Sequence, residues 1–120
     1  MSMFHVDVVA VNPGIPEREG RNARAFVDTG SEYTWMPAQV LDDTGIERRR
    51  TRSFVTATGE RFTRPVGYAI LRVADFETVD EVVFAEPSDT TLLGARTIEG
   101  VGAYVDNVER RLVPRDAIKV

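Results

Sequence analysis

Two Asp-Thr-Gly triplets, Asp28-Thr29-Gly30 and Asp43-Thr44-Gly45, carry the residue types of this chain best suited to chemistry. Two facing carboxyl groups that share a proton can activate water with one member and polarise a carbonyl with the other, which is how aspartates hydrolyse peptide bonds. The triplets are therefore either two halves of one site, or one site and one coincidence. Other chemistries have little support. The chain has no cysteine, which excludes thiolate nucleophiles, disulfides and zinc–thiolate sites. Its one histidine, His5, alternates with apolar residues and reads as structural. The carboxylates Asp75, Glu77, Asp80, Glu81 and Glu86 match no cation-loop spacing and read as a solvated face, so neither a metal nor a cofactor is expected.

The elements that must position such residues are mostly strands. In FHVDVVAV, Phe4, Val6 and Val8 share one face, and Asn12-Pro13-Gly14 ends the run with a turn signal. NARAFVDTG is a short apolar strand after a polar loop. RSFVTATGERFTRPVGYAILRV has two β-rich arms about Thr58-Gly59-Glu60, which predicts a hairpin over residues 53 to 72 with Gly59 at positive φ. TVDEVVFAE and GAYVDNVERRLVP supply further strands. Helix is expected at Ala38 to Asp43, between Pro37 at a first-turn position and Gly45 at C′. A second brief helix is expected in GARTIEGVG. The 120 residues, 42% hydrophobic with apolar residues spread from end to end, fit one domain over 1–120 of mainly β class.

Context separates the triplets. Asp28 follows the β-type run Ala25-Phe26-Val27 and precedes Gly30-Ser31, so it sits where a buried strand turns sharply. Asp43 ends a predicted helix, where Gly45 is explained as the residue after the cap and Asp42-Asp43 as solvated charges. The spacing is also too short for a second strand-turn unit to face the first.

Ala25-Phe26-Val27, then Asp28-Thr29-Gly30 with Ser31, the hairpin, and the later Leu92-Leu93-Gly94 before a short helix occur in an order that resembles the retropepsin-like aspartic proteases, single-domain relatives of pepsin. The resemblance covers nearly the whole chain. It implies a closed or partly open β-barrel of the acid-protease type, with the hairpin as a substrate-covering flap. It also implies Asp28, Thr29 and Gly30 as the catalytic triplet, Thr29 bracing its counterpart across a two-fold axis. Ser31 is similar to the serine of pepsin-type members, and its hydroxyl is expected to bond the Asp28 carboxylate. Glu32, Thr58, Gly59, Leu92, Leu93 and Gly94 are the expected supporting or substrate-binding residues, with Leu92 and Leu93 also reading as core. Tyr33 and Trp35 read as packing aromatics that can line a pocket. The tip TATGERF lacks the several glycines of retroviral members, which implies a less mobile closure.

One chain offers one strand-end aspartate, so the resemblance implies a homodimer acting as an endopeptidase on a peptide or protein substrate. The alternative is a dimeric peptide-binding or assembly module on the same fold without turnover; a monomeric scaffold with Asp28 unpaired is a third reading. The formal charge of −4 and pI near 5.0 argue against nucleic acid and anionic membrane as partners. The basic run Arg48-Arg49-Arg50-Thr51-Arg52 reads as a solvated loop, although arginines near a flap also attract acidic substrates. MSMFHVDVVAVNPG lacks a basic leader and reads as a strand, and no run reaches membrane-spanning length, so a cytoplasmic setting is expected.

Overall fold

The computed structural model describes residues 4–120. The chain runs β1 (His5–Val11), β2 (Arg21–Asp28), β3 (Thr34–Pro37), α1 (Ala38–Asp43), β4 (Arg50–Val55), β5 (Arg61–Val73), β6 (Phe76–Ala85), β7 (Leu92–Gly94), α2 (Ala95–Gly100), β8 (Ala103–Asp106) and β9 (Arg111–Pro114). β1, β2, β7, β3, β6 and β5 pair in that order, and β5 returns to β1, which closes a six-stranded barrel. Closure leaves those strands no free edge. The mainly β class, the barrel and the two short helices agree with the sequence reading, and α1 has the expected bounds.

The long strand β5 accounts for the rest of the architecture. Its first residues, Arg61 to Val66, pair with β4 in a hairpin outside the barrel, while Val66 to Val73 pair with β6. The crossing falls at Gly67, where a Cβ would lie 2.3 Å from the Glu47 carbonyl oxygen. Only glycine permits that approach. At the far end Gly59 turns the hairpin with φ +88°, as its sequence predicts.

Strand alternation divides the apolar side chains between two clusters. Val8 and Ala10 of β1, Ala69 and Leu71 of β5, and Val82 and Phe84 of β6 fill the barrel with Met36, Leu41 and Leu93. Val83 and Ala85 point the other way and join Tyr33, Trp35 and Val66, against which Phe54, Phe62 and Leu92 pack. The hairpin therefore covers an outer face of the barrel, which is why Glu81 to Ala85 are buried without a break. Strands β8 and β9 form a separate two-stranded ribbon after α2, with Pro114 paired to Ala103 at its end.

Candidate active site

Asp28 is the last residue of β2, and its position is set by β7 on one side and the turn after it on the other. β2 and β7 are parallel, with Phe26 opposite Leu92, Val27 opposite Leu93 and Asp28 opposite Gly94. The chain then reverses through Thr29 to Tyr33 to enter β3. Three successive backbone N–H groups from the β7–α2 junction hold that turn: Gly94 donates to Thr34 Oγ1 at 2.9 Å, Ala95 to the Ser31 carbonyl at 2.8 Å and Arg96 to the Glu32 carbonyl at 3.0 Å. The approach is so close that a Cβ on Gly94 would lie 2.3 Å from the Tyr33 carbonyl oxygen. Thr34 Oγ1 and Thr97 Oγ1, both fully buried, lie 2.6 Å apart, and Thr97 donates to Asp80 Oδ2 at 2.9 Å. Sequence reasoning missed this chain of hydroxyls, because one threonine on a strand and another on a helix give no joint pattern.

The Asp28 carboxylate accepts a hydrogen bond from the Gly30 N–H at 2.9 Å, and the Asp28 carbonyl accepts from Ser31 N–H at 3.2 Å. The first bond holds one carboxylate oxygen, and Asp28 lines an open groove of about 630 Å³. Gly30, Ser31 and Glu32 of the turn, the aromatic residues Tyr33, Trp35, Phe54 and Phe62, the hairpin residues Arg52 to Thr56, and Leu92 line it. The rings pack on one another, with centroids 4.9 Å apart for Trp35 and Phe54 and 5.6 Å for Tyr33 and Phe54.

Of the expected site residues, the structure brings Asp28, Gly30, Ser31, Glu32 and Leu92 to this groove. Gly94 lies directly behind Asp28, and Leu93 is fully buried in the barrel core. Thr58 and Gly59 are at the exposed hairpin tip, where Thr56 closes the turn through its hydroxyl to Thr58 Oγ1 and the Glu60 N–H, each at 3.0 Å. Thr29 is exposed and borders a different recess, of about 280 Å³, where Ile98, Ala103, Tyr104 and Val105 meet the charged Glu99 and Arg115. The Ser31 hydroxyl corrects the sequence expectation: it donates to the Tyr33 carbonyl at 2.9 Å. A hydroxyl has one proton, so Ser31 braces the turn in place of bonding the Asp28 carboxylate.

The acidic and basic runs are corrected too. Glu81 is buried, not solvated, and accepts bonds from Tyr33 Oη at 2.9 Å and from Arg50 Nε and Nη2 at 2.9 and 3.1 Å. The Arg50 guanidinium holds the Glu81 carboxyl below the usual carboxylate range against the opposing effect of burial, and Glu81 in turn raises Arg50. The arginine run is not a free loop: Arg50 and Arg52 lie on β4, and Arg48 pairs with Asp42. Across the hairpin, Arg64 forms a two-point pair with Asp89 at 2.7 and 3.0 Å, which lowers the Asp89 carboxyl. One anchor per strand thus ties the hairpin to the barrel. The signal for Glu81 was its phase, two and four residues before the outer-face residues Val83 and Ala85.

Asp43 is elsewhere. It ends α1, where its carboxylate pairs with Arg21 at 2.9 Å and accepts from Gln39 Nε2 at 2.8 Å.

Comparison with known proteins bears on the family and the fold. Residues 17–99 match the family model described as "gag-polyprotein putative aspartyl protease". Among solved structures, the solution structure of the simian foamy virus (mac) protease superposes with a TM-score of 0.54 at 21% identity, over 80% of this chain and 92% of that one. No curated protein sequence matches the chain.

Proposed function

The chain belongs to the gag-polyprotein aspartyl protease family, and from that premise we propose that it is an aspartic endopeptidase in which Asp28 of two subunits forms the catalytic dyad. The observation that carries the reading is the clamped strand-end turn that places a single carboxylate, held by the Gly30 N–H, at the edge of a groove of about 630 Å³. Hydrolysis needs two carboxyl groups, and a two-fold dimer supplies the second Asp28 automatically. The ionised Asp28 takes a proton from water as its oxygen attacks the scissile carbonyl carbon, while the protonated Asp28 donates to the carbonyl oxygen. The tetrahedral intermediate then collapses with a proton delivered to the departing nitrogen, and the dyad returns to its shared-proton state.

The dimer reading is supported by the side of the turn that carries Thr29. Its neighbour Tyr104 is 53% exposed and shares a shallow recess with the exposed threonine, together with Ile98, Ala103 and Val105 and the charged Glu99 and Arg115, which offers a mixed apolar and charged surface for a second subunit. Thr29 is proposed to brace its counterpart there. The hairpin, anchored at its base by Arg50 and Arg64, serves as the flap, and Thr58 and Gly59 form its tip over bound peptide. We assign the whole of 1–120 to this protease domain. No helix among the described residues is long and apolar enough to cross a membrane, and the cysteine-free composition supports a cytoplasmic setting.

Titration with a statine-containing peptide, which mimics the tetrahedral intermediate, tests the proposal when combined with sedimentation. One inhibitor bound per two chains, with the dimer stabilised by the inhibitor, is the expected result. Binding of one inhibitor per single chain, or a monomer that never associates with inhibitor present, would overturn the dyad. Peptide binding without hydrolysis would favour the non-catalytic module.

A further inference from the structure

Strand β4 presents Arg50, Arg52 and Phe54 at alternate positions and therefore on one face, and Arg52 and Phe54 line the groove. Arg50 is committed to Glu81, and Phe54 packs on Trp35 and Tyr33. Arg52 lies between them, partly buried, and its guanidinium rests 5.7 Å from the centre of the Tyr33 ring.

The carboxylates around it are already answered. Glu81 takes Arg50 twice and Tyr33 once; Asp80 takes Thr97 and has Arg96 at 3.5 Å. Arg64, which faces Arg52 across the hairpin ladder, is neutralised by Asp89 and Glu86. Arg52 itself forms no ion pair among the described residues, yet it lines the same groove as Asp28. A guanidinium held beside an aromatic wall and without an ion-pair partner gains most from a carboxylate it can meet with two parallel hydrogen bonds. The surrounding wall of Trp35, Phe54, Phe62 and Leu92 offers an apolar side chain a place to be buried.

We propose that Arg52 determines specificity in this groove, selecting peptides in which an aspartate or glutamate stands near an apolar or aromatic residue at the cleavage site. The carboxylate meets the Arg52 guanidinium and the apolar side chain enters the aromatic wall. The inference rests on the protease reading above. The recognition is local, because the net charge of −4 gives no long-range attraction for acidic peptides. Glu32 also lines the groove and forms no ion pair among the described residues, which makes it the competing partner for Arg52.

The test is a set of peptides identical except for Glu, Gln or Lys at each position flanking the cleaved bond, assayed with wild type, Arg52→Gln, Arg52→Glu and Glu32→Gln. At one position wild type should prefer Glu over Gln by about tenfold in kcat/KM, as one charge-assisted hydrogen-bonded pair provides, and added salt should shrink the preference. The ratio should fall toward one in Arg52→Gln, turn in favour of Lys in Arg52→Glu, and persist in Glu32→Gln. Arg52→Lys, which keeps the charge, is the substitute should Arg52→Gln fail to fold, and it should retain part of the preference. A Glu preference unchanged by Arg52→Gln, or no preference at any position, would overturn the proposal; the second result would assign Arg52 to Glu32. If wild type cleaves no peptide, the protease reading fails instead. The same ratios are then read as Kd by fluorescence anisotropy with labelled peptides, where loss of a Glu preference in Arg52→Gln supports the inference and its persistence or absence overturns it.

Discussion

Asp28-Thr29-Gly30 and Asp43-Thr44-Gly45 are the same three residues in two mechanical settings. The first ends a strand, and three backbone donors from residues 94 to 96 hold the turn that follows it. The second ends a helix, and its threonine does the holding: Thr44 is 2% exposed and its hydroxyl donates to the Leu41 carbonyl at 2.8 Å. Thr29, by contrast, is exposed, and the neighbouring Gly30 N–H orients a carboxylate that borders a groove. Gly45 sits at φ +74°, the ordinary conformation for the residue after a helix cap. The triplet therefore has no chemistry of its own. What precedes it and what clamps it decide whether the aspartate borders an open groove or pairs with an arginine.

The comparison breaks most visibly at the carboxylates. Asp28→Asn keeps the size and the bond from Gly30 but cannot share a proton, so hydrolysis of a mixed peptide library should fall by several orders of magnitude with the circular dichroism spectrum unchanged. Equal turnover by wild type and variant would remove Asp28 from the chemistry.

The clamp is the next target, because backbone donors from a distant element hold only the first triplet's turn, whereas the second is met by a side chain, Asn12 Nδ2 donating to the Thr44 carbonyl at 3.0 Å. Gly94→Ala drives a Cβ into the Tyr33 carbonyl, a backbone atom that cannot move aside without disturbing β3. A cost of about 3 kcal/mol is expected, at the upper end of ordinary overpacking. Thermal denaturation reads it as a melting temperature lower by roughly 10 °C. A melting temperature like that of wild type would show that the turn gives way easily, and the rigidity inferred for Asp28 would go with it.

A smaller effect sharpens the contrast in how the two regions use charge. Glu81 is 5% exposed and its carboxyl is held below the usual range by Arg50, whereas Asp43 pairs with an arginine that is 58% exposed. Because the folded-state value of Glu81 is depressed, its contribution is complete above about pH 4.5, the ordinary glutamate value, and is lost as pH falls through the lower folded value. Wild-type melting temperature should therefore drop on acidification below that point. In Glu81→Gln the drop should be shallower, starting from a lower plateau at neutral pH. The Asp89 carboxyl, lowered by Arg64, contributes with the same sign and leaves a residual slope in the variant. Parallel curves for wild type and Glu81→Gln would mean that the Arg50 pair does not act through protonation.

Local signals were legible in the sequence and long-range ones were not. Pro37 and Gly45 bound α1, the alternation of Phe4, Val6 and Val8 marks β1, and Gly59 marks the hairpin turn. Each is a property of a few consecutive residues. Barrel closure depends on β5 serving the hairpin with one half and the barrel with the other, and nothing in its composition marks the change at Gly67 except the glycine itself. Glu81 and Arg50 lie 31 residues apart, so each reads alone as a surface charge. The Ser31 hydroxyl has two acceptors close to it along the chain, the Asp28 carboxylate and the Tyr33 carbonyl, and spacing does not choose between them.

The smallest effect is expected at the second triplet, and its smallness is the point of the comparison. Asp43→Asn removes a charge from the pair with Arg21, of which 58% and 31% of the side chains are exposed. Exposed pairs of this kind contribute a few tenths of a kcal/mol. The same charge sits at the C-terminal end of α1, where the helix dipole disfavours an anion, so its removal gives back a similar amount. Asn also retains an oxygen to accept from Gln39 Nε2. The terms offset, and the urea midpoint should correspond to a stability within about 0.5 kcal/mol of wild type. Hydrolysis should be unaffected, since Asp43 lines no part of the groove that holds Asp28. Should Asp43→Asn lose turnover while Asp28→Asn keeps it, the helix-end triplet would be the chemical one and the strand-end turn only a bend.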